Sequence, residues 1–224
     1  MSAEIVALET VALSATALSV GAIHTLLGPD HYVPFAAMSH AGGWSAGKTL
    51  RVTVACGLGH VAGSVALGLL GLAVGVAVLK LELVEAIRGD VAGWMLVVFG
   101  AAYLAWGLVV AVRRHGHAHP HIASDATTAA DGAWTPWLLF LVFVFGPCEP
   151  LIPLLIYPAA QANGFAVAAV VAAFAAATVG TMVVAVLVMR YGAAVARVPR
   201  LERFSHALAG LAILACGLLV KLGL

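Results

Sequence analysis

Charge is scarce in this chain. Of its 224 residues, 11 are Lys or Arg and 10 are Asp or Glu, where an average soluble domain of this length carries roughly 55 charged side chains. The deficit excludes an ordinary water-soluble enzyme, a disordered chain, and a nucleic-acid binder with a basic face. Cysteine is scarce as well. Cys56, Cys148 and Cys216 are an odd number, lie inside apolar stretches and lack disulfide spacing, so no secreted disulfide scaffold is implied. The opening MSAEIVALET has no basic n-region, so no secretory leader is expected. A phosphate-cradling glycine loop is also missing, and with it any direct nucleotide hydrolysis. Neither enzymatic activity nor a resident cofactor is expected.

What fills the chain is apolar: 63% of residues, with a mean hydropathy of +1.07. Its solvent is lipid. Apolar runs of about 20 residues predict six transmembrane helices, near 5–27, 51–78, 91–112, 137–160, 164–189 and 204–223. The fold class is therefore all-α and polytopic, with the bilayer as an obligate partner. Connections after the first, third and fifth spans hold Lys48, Arg51, Arg113, Arg114, Arg190, Arg197, Arg200 and Arg203, against Lys80, Arg88 and Lys221 on the other side. The positive-inside bias then places the first set in the cytoplasm and both termini outside, in a bacterial or archaeal plasma membrane. Trp44, Trp94, Trp106, Trp134 and Trp137 fall near span ends and read as an interfacial belt. Segment 79–90, LKLELVEAIRGD, reads as an amphipathic helix lying on the outer interface.

An internal repeat organises the spans. Gly28-Pro29 recurs 118 residues later as Gly146-Pro147, and Ala92-Gly93 with Gly100 recurs 117 residues later as Ala209-Gly210 with Gly217. This divides the chain into a first three-helix repeat (1–112), a His-rich cytoplasmic loop (113–136) and a second three-helix repeat (137–224). Three spans per copy is an odd number, so the copies are expected to be inverted. Proline removes a backbone donor and disfavours helix at the residue before it. Helix breaks are therefore expected at both Gly-Pro pairs, and broken helices in inverted repeats mark midplane binding sites.

Ionisable residues follow the breaks at once: Asp30-His31 after the first, Cys148-Glu149 after the second. An ionisable side chain within the membrane costs at least roughly 2.5–3.5 kcal/mol, so Asp30 and Glu149 need partners, and a divalent cation would neutralise both. His24 lies seven residues before His31, and His60 falls in the middle third of the second span. Imidazole, thiolate and carboxylate together suit borderline first-row metals, so the candidate metal ligands are His24, Asp30, His31, His60, Cys148 and Glu149. Blander roles stand beside these: His60 as a hydrogen-bonded interior histidine, His24 as an orienter of Asp30, Cys148 as packing. In the loop RRHGHAHPHIASD, His115, His117, His119 and His121 alternate, a composition suited to collecting metal on a flexible tether.

GAIHTLLGPDHYVPF, with His24, Asp30 and His31, resembles the His-x(4 or 5)-Asp-His signature of the nickel/cobalt transporters, and Leu58-Gly59-His60 is similar to their Leu-Gly-His segment. The six-span length is closer to compact relatives of the urease-accessory and sulfite-exporter types. FGPCEPLIPLL also resembles the Pro-Cys-x-x-Pro segment of the membrane electron-transfer proteins of cytochrome c maturation, with Glu149 alone between Cys148 and Pro150. That second resemblance implies six spans in two inverted halves and a reversible disulfide using one cysteine from each half. Here Asp30 stands 118 residues before Cys148.

The expected function is a membrane carrier for a divalent transition metal. By resemblance Ni²⁺ or Co²⁺ comes first, and Zn²⁺, Fe²⁺ or copper shares the same ligands. A second copy of the chain or a cytoplasmic metallochaperone would be its protein partners. Three alternatives remain: a thiol–disulfide electron carrier using Cys148, a non-transporting accessory membrane protein, and an anion exporter. The Asp30 and Glu149 carboxylates disfavour the last.

Overall fold

Long apolar runs become helices because, in lipid, every backbone N–H and C=O must be paired within its own segment. The computed structural model describes residues 3–75, 78–113, 134–146, 148, 150–195 and 202–223. Helix α1 (Ala3–Leu27) ends in a 3₁₀ turn at Pro29–His31, followed by α2 (Val33–Ala41), α3 (Ala46–Ala73) and α4 (Val78–Arg113). Then come α5 (Trp134–Phe145), α6 (Leu151–Ala160), α7 (Gly164–Val195) and α8 (Ser205–Lys221). No strand occurs among the described residues. Four stretches, Glu4–Leu27, Ala46–Ala73, Lys80–Arg113 and Gly164–Gly192, are long and apolar enough to cross a membrane. Leu8, Val11, Val98 and Val188 stand outward, each at least 65% exposed, a surface that suits lipid rather than water. The chain is an integral membrane protein.

Helices are interrupted at Gly28-Pro29 and at Gly146, and the 118-residue offset extends beyond these points. Helices end at Leu27 and Phe145, restart at Val33 and Leu151, and start again at Ala46 and Gly164. Three expectations need correction. Residues 28–50 belong to no span by hydropathy, yet they contain α2, whose Phe35 and Met38 are among the most buried side chains. At nine residues α2 is too short for a spanning signal. Segment 79–90 is not a separate interfacial helix but the first turns of the continuous α4, and it turns Glu85 inward, fully buried. Nor is Trp44 part of an interfacial belt. It is 4% exposed within a core cluster that also holds Phe35, Met38 and Phe143, while Trp94 and Trp137 do face outward.

Helices α4 and α8 form the most extensive pairing, and they run antiparallel. Gly93 lies against Lys221, Gly100 against Leu214, Gly107 against Ala207, Gly210 against Leu104 and Gly217 against Val97. As one index rises the other falls. The contacts are also reciprocal under the 117-residue offset: Gly100 on Leu214 corresponds to Gly217 on Val97, and Gly210 on Leu104 to Gly93 on Lys221. Glycine lets the two backbones touch, which is how helices associate when lipid removes the hydrophobic drive between them. A Cβ on Gly217 would stand 2.7 Å from the Val97 nitrogen, and one on Gly100 closer still to that of Leu214. Asp90 on α4 pairs with Lys221 on α8, whose ammonium also lies 5.0 Å from the Trp94 ring centre. Gly100→Val should therefore cost about 1–3 kcal/mol of overpacking, read as a lowered unfolding transition in detergent. Gly180→Val, where nothing lies within 4 Å of the added carbon, should leave the transition nearly unchanged.

Candidate metal site at the helix breaks

At each break a backbone carbonyl that already accepts a backbone N–H, Gly28 O from His31 N and Phe143 O from Gly146 N, is also approached by an imidazole. At the first break, His31 Nδ1 lies 3.1 Å from Gly28 O and 3.2 Å from Asp30 Oδ1. At the second, His60 Nδ1 lies 3.2 Å from Phe143 O. A carbonyl or carboxylate oxygen only accepts, so in both rings Nδ1 carries the hydrogen. In the neutral ring this leaves the lone pair on Nε2. Glycine permits this contact: a Cβ at Gly28 would sit 2.5 Å from His31 Nδ1, and one at Gly146 3.0 Å from His60 Nδ1.

The rings of three histidines lie together in the interior. Nε2 of His24, His31 and His60 are all buried and have no hydrogen-bond partner among the described residues. The His31 ring stands between the others, its centroid 4.8 Å from His24 and 5.0 Å from His60, at nearly perpendicular angles. Cys148 is fully buried, and donor atoms of His24, His60 and Cys148 all lie within 4.8 Å of one another. A tetrahedral ion with bonds of about 2.0–2.3 Å holds its donors about 3.3–3.8 Å apart. A bound ion would thus draw these donors in by about 1 Å. Beside them a cavity of about 370 Å³ is lined by Asp30, Leu96, Phe143 and Pro150, among others.

His24, Asp30, His31, His60 and Cys148 are thus brought to one place, although α1 ends before His31 and the two histidines share no continuous helix. Asp30 pairs with His31 at the cavity wall. Glu149 and the loop histidines His115, His117, His119 and His121 lie outside the described residues. Cys56 and Cys216 are buried free thiols, with Cys56 in a different core cluster from Cys148. His206 in the first turn of α8 is buried, and its Nδ1 lies 2.8 Å from the Tyr103 hydroxyl.

Two residues that the sequence pattern places on an interface belong to this site. Cys148 N–H donates to Ser64 Oγ at 3.2 Å and Glu85 Oε2 at 3.1 Å. Glu85 is paired with Arg88 one turn later. Arg88 Nη2 in turn donates to Val144 O at 2.8 Å and Gly146 O at 3.3 Å. The pair clamps both sides of the second break. Charges spaced along 79–90 signal an amphipathic helix but do not reveal that their partners are some sixty residues away.

Residues 32–219 match the family model described as the cytochrome C biogenesis protein transmembrane region. The chain belongs to that family. This is the second of the two resemblances read from the sequence; the nickel/cobalt transporter relationship is not what the match supports. No curated protein and no solved structure matches the chain. The matched stretch contains His60, Cys148 and the Glu85–Arg88 clamp, whereas His24, Asp30 and His31 precede it.

Removing one partner of the buried pair leaves an uncompensated charge. Arg88→Ala should cost about 3–5 kcal/mol in detergent unfolding, and Glu85→Leu with Arg88→Met should recover much of it by removing both charges. A double variant no more stable than Arg88→Ala would assign the cost to the freed carbonyls of the break instead.

Proposed function

We propose that this member of the cytochrome c biogenesis family is a membrane carrier whose cargo is a first-row transition-metal ion, held between the two helix breaks. One observation carries the reading: His24 and His60, whose buried Nε2 atoms have no hydrogen-bond partner among the described residues, bring donor atoms within 4.8 Å of each other and of the Cys148 thiol, with His31 packed against both rings. A buried polar atom left unpaired costs about 1–3 kcal/mol, a cost that a bound ion would offset. Nitrogen and sulfur donors select nickel, cobalt, zinc or copper over magnesium, calcium or manganese. The matched helix ends and the reciprocal α4–α8 contacts support six spans in two inverted halves, with the cargo site between them.

The family membership favours a second reading, a thiol–disulfide electron carrier. In that chemistry two thiols lose two protons and two electrons to form one disulfide, so Cys148 needs a second cysteine. Cys56 and Cys216 are the available thiols in this chain.

Binding and flux separate the two readings. Co²⁺ titrated into the purified chain in detergent should give a thiolate-to-cobalt charge-transfer band that Cys148→Ser abolishes. His60→Ala should weaken binding at least about tenfold, and Asp30→Asn, through His31, about ten- to a hundredfold. In vesicles, Ni²⁺, Co²⁺ or Zn²⁺ should move and Mn²⁺ should not, with the movement lost in His60→Ala. Absence of both the band and the flux, with Cys148 and Cys56 reversibly linked under oxidising conditions, would overturn the metal reading in favour of electron transfer.

A further inference from the structure

A second polar site lies away from the breaks, where α2 ends, α7 ends and α8 begins. Its centre is Arg190, on the last turns of α7. One guanidinium nitrogen is held by a directed chain of hydroxyls. Thr49 Oγ1 donates to Ser45 O at 3.0 Å, so Ser39 Oγ, 2.7 Å away, donates to Thr49 and accepts from Arg190 Nη1. Ser39 and Thr49 are 1% and 0% exposed, which makes this a built mount rather than a surface encounter. Guanidinium carries five N–H donors, and Nη2 and Nε have no hydrogen-bond partner among the described residues. No carboxylate there forms an ion pair with Arg190 either.

Arg190 lines a cavity of about 440 Å³ together with Ser39, His40, Tyr191, Glu202 and Ser205, among others. Tyr191 and Ser205 offer hydroxyls and His40 an imidazole. A permanently charged fork with unfilled donors, sharing a cavity with hydroxyl and imidazole groups from three helices, fits an anion with several oxygens. We propose that this cavity binds a phosphate-type oxyanion, carried either by a lipid headgroup or by a soluble phosphate. Glu202 is the opposing feature: its carboxylate on the rim repels the ligand and sets a ceiling on affinity. The proposal does not rest on the metal-carrier reading, since no residue is shared between the two sites.

The test uses the whole chain. In neutral detergent, its unfolding transition is followed in inorganic phosphate and in sodium chloride of equal ionic strength. Retention of phosphatidylglycerol over phosphatidylcholine from mixed nanodiscs is measured by native mass spectrometry. A saturable rise in the transition with phosphate assigns a soluble oxyanion, and selective retention of phosphatidylglycerol assigns a headgroup; either supports the site. Arg190→Gln should weaken the response about tenfold or more. Glu202→Gln should tighten it about two- to fivefold, a gain that misfolding cannot imitate. No response to either probe, or a response undiminished in Arg190→Gln, overturns the proposal. Should Arg190→Gln fail to fold, Glu202→Gln decides alone: a tighter response supports the site and an unchanged one overturns it.

Discussion

An interrupted helix in lipid must find partners for the backbone groups it frees, because there is no water to take them. Most of this site follows from that requirement. Gly28 O and Phe143 O each accept a backbone N–H and, as second partners, the Nδ1–H groups of His31 and His60, which holds each ring with its Nε2 lone pair buried. Val144 O and Gly146 O take Arg88, while the Cys148 amide takes Ser64 and Glu85. The backbone's needs and the geometry of the donor cluster are met by the same contacts. A substitution that frees one carbonyl therefore disturbs a prospective ligand as well.

The family scaffold and the residues placed on it make different suggestions. The matched region is that of cytochrome c biogenesis membrane proteins, and a cysteine does stand in the second break. At the corresponding point of the first break stands Asp30, followed by His31. A scaffold that brings two breaks together can serve any chemistry whose groups sit at those breaks, and function is decided by the side chains there rather than by the fold. The stretch carrying His24, Asp30 and His31 precedes the matched residues, so the family relationship is silent about the imidazoles that distinguish this site.

Packing of α4 against α8 rests on close backbone approach. The glycines of α4 and α8 repeat at an offset of 117 residues, and their contacts exchange under that offset. Small residues serve here because apolar side chains gain nothing by leaving lipid for a helix interface, so contact area and fit must supply the association. Asp90 and Lys221 then tie α4 to α8 near one end of the interface.

Local chemistry sufficed for what is encoded within a few residues: apolar runs became helices, Gly-Pro pairs became breaks, and Asp30-His31 and Cys148 took their places at them. Pattern also singled out His24 and His60, since an imidazole inside an apolar run is costly wherever the chain goes. Other features depended on partners distant in sequence. Helix α2 was invisible because nine residues give no spanning signal, and its burial comes from α7 and α8. Glu85 and Arg88 had the spacing of an interfacial helix until tertiary structure set them against Ser64 and the second break. Trp44 had the position of an interfacial residue until neighbouring helices covered it. By itself the sequence determined which segments are apolar enough to become helices and where those helices fail. The tertiary structure alone decided which buried polar groups meet, because in a medium without water each must be paired by whichever helix packs beside it.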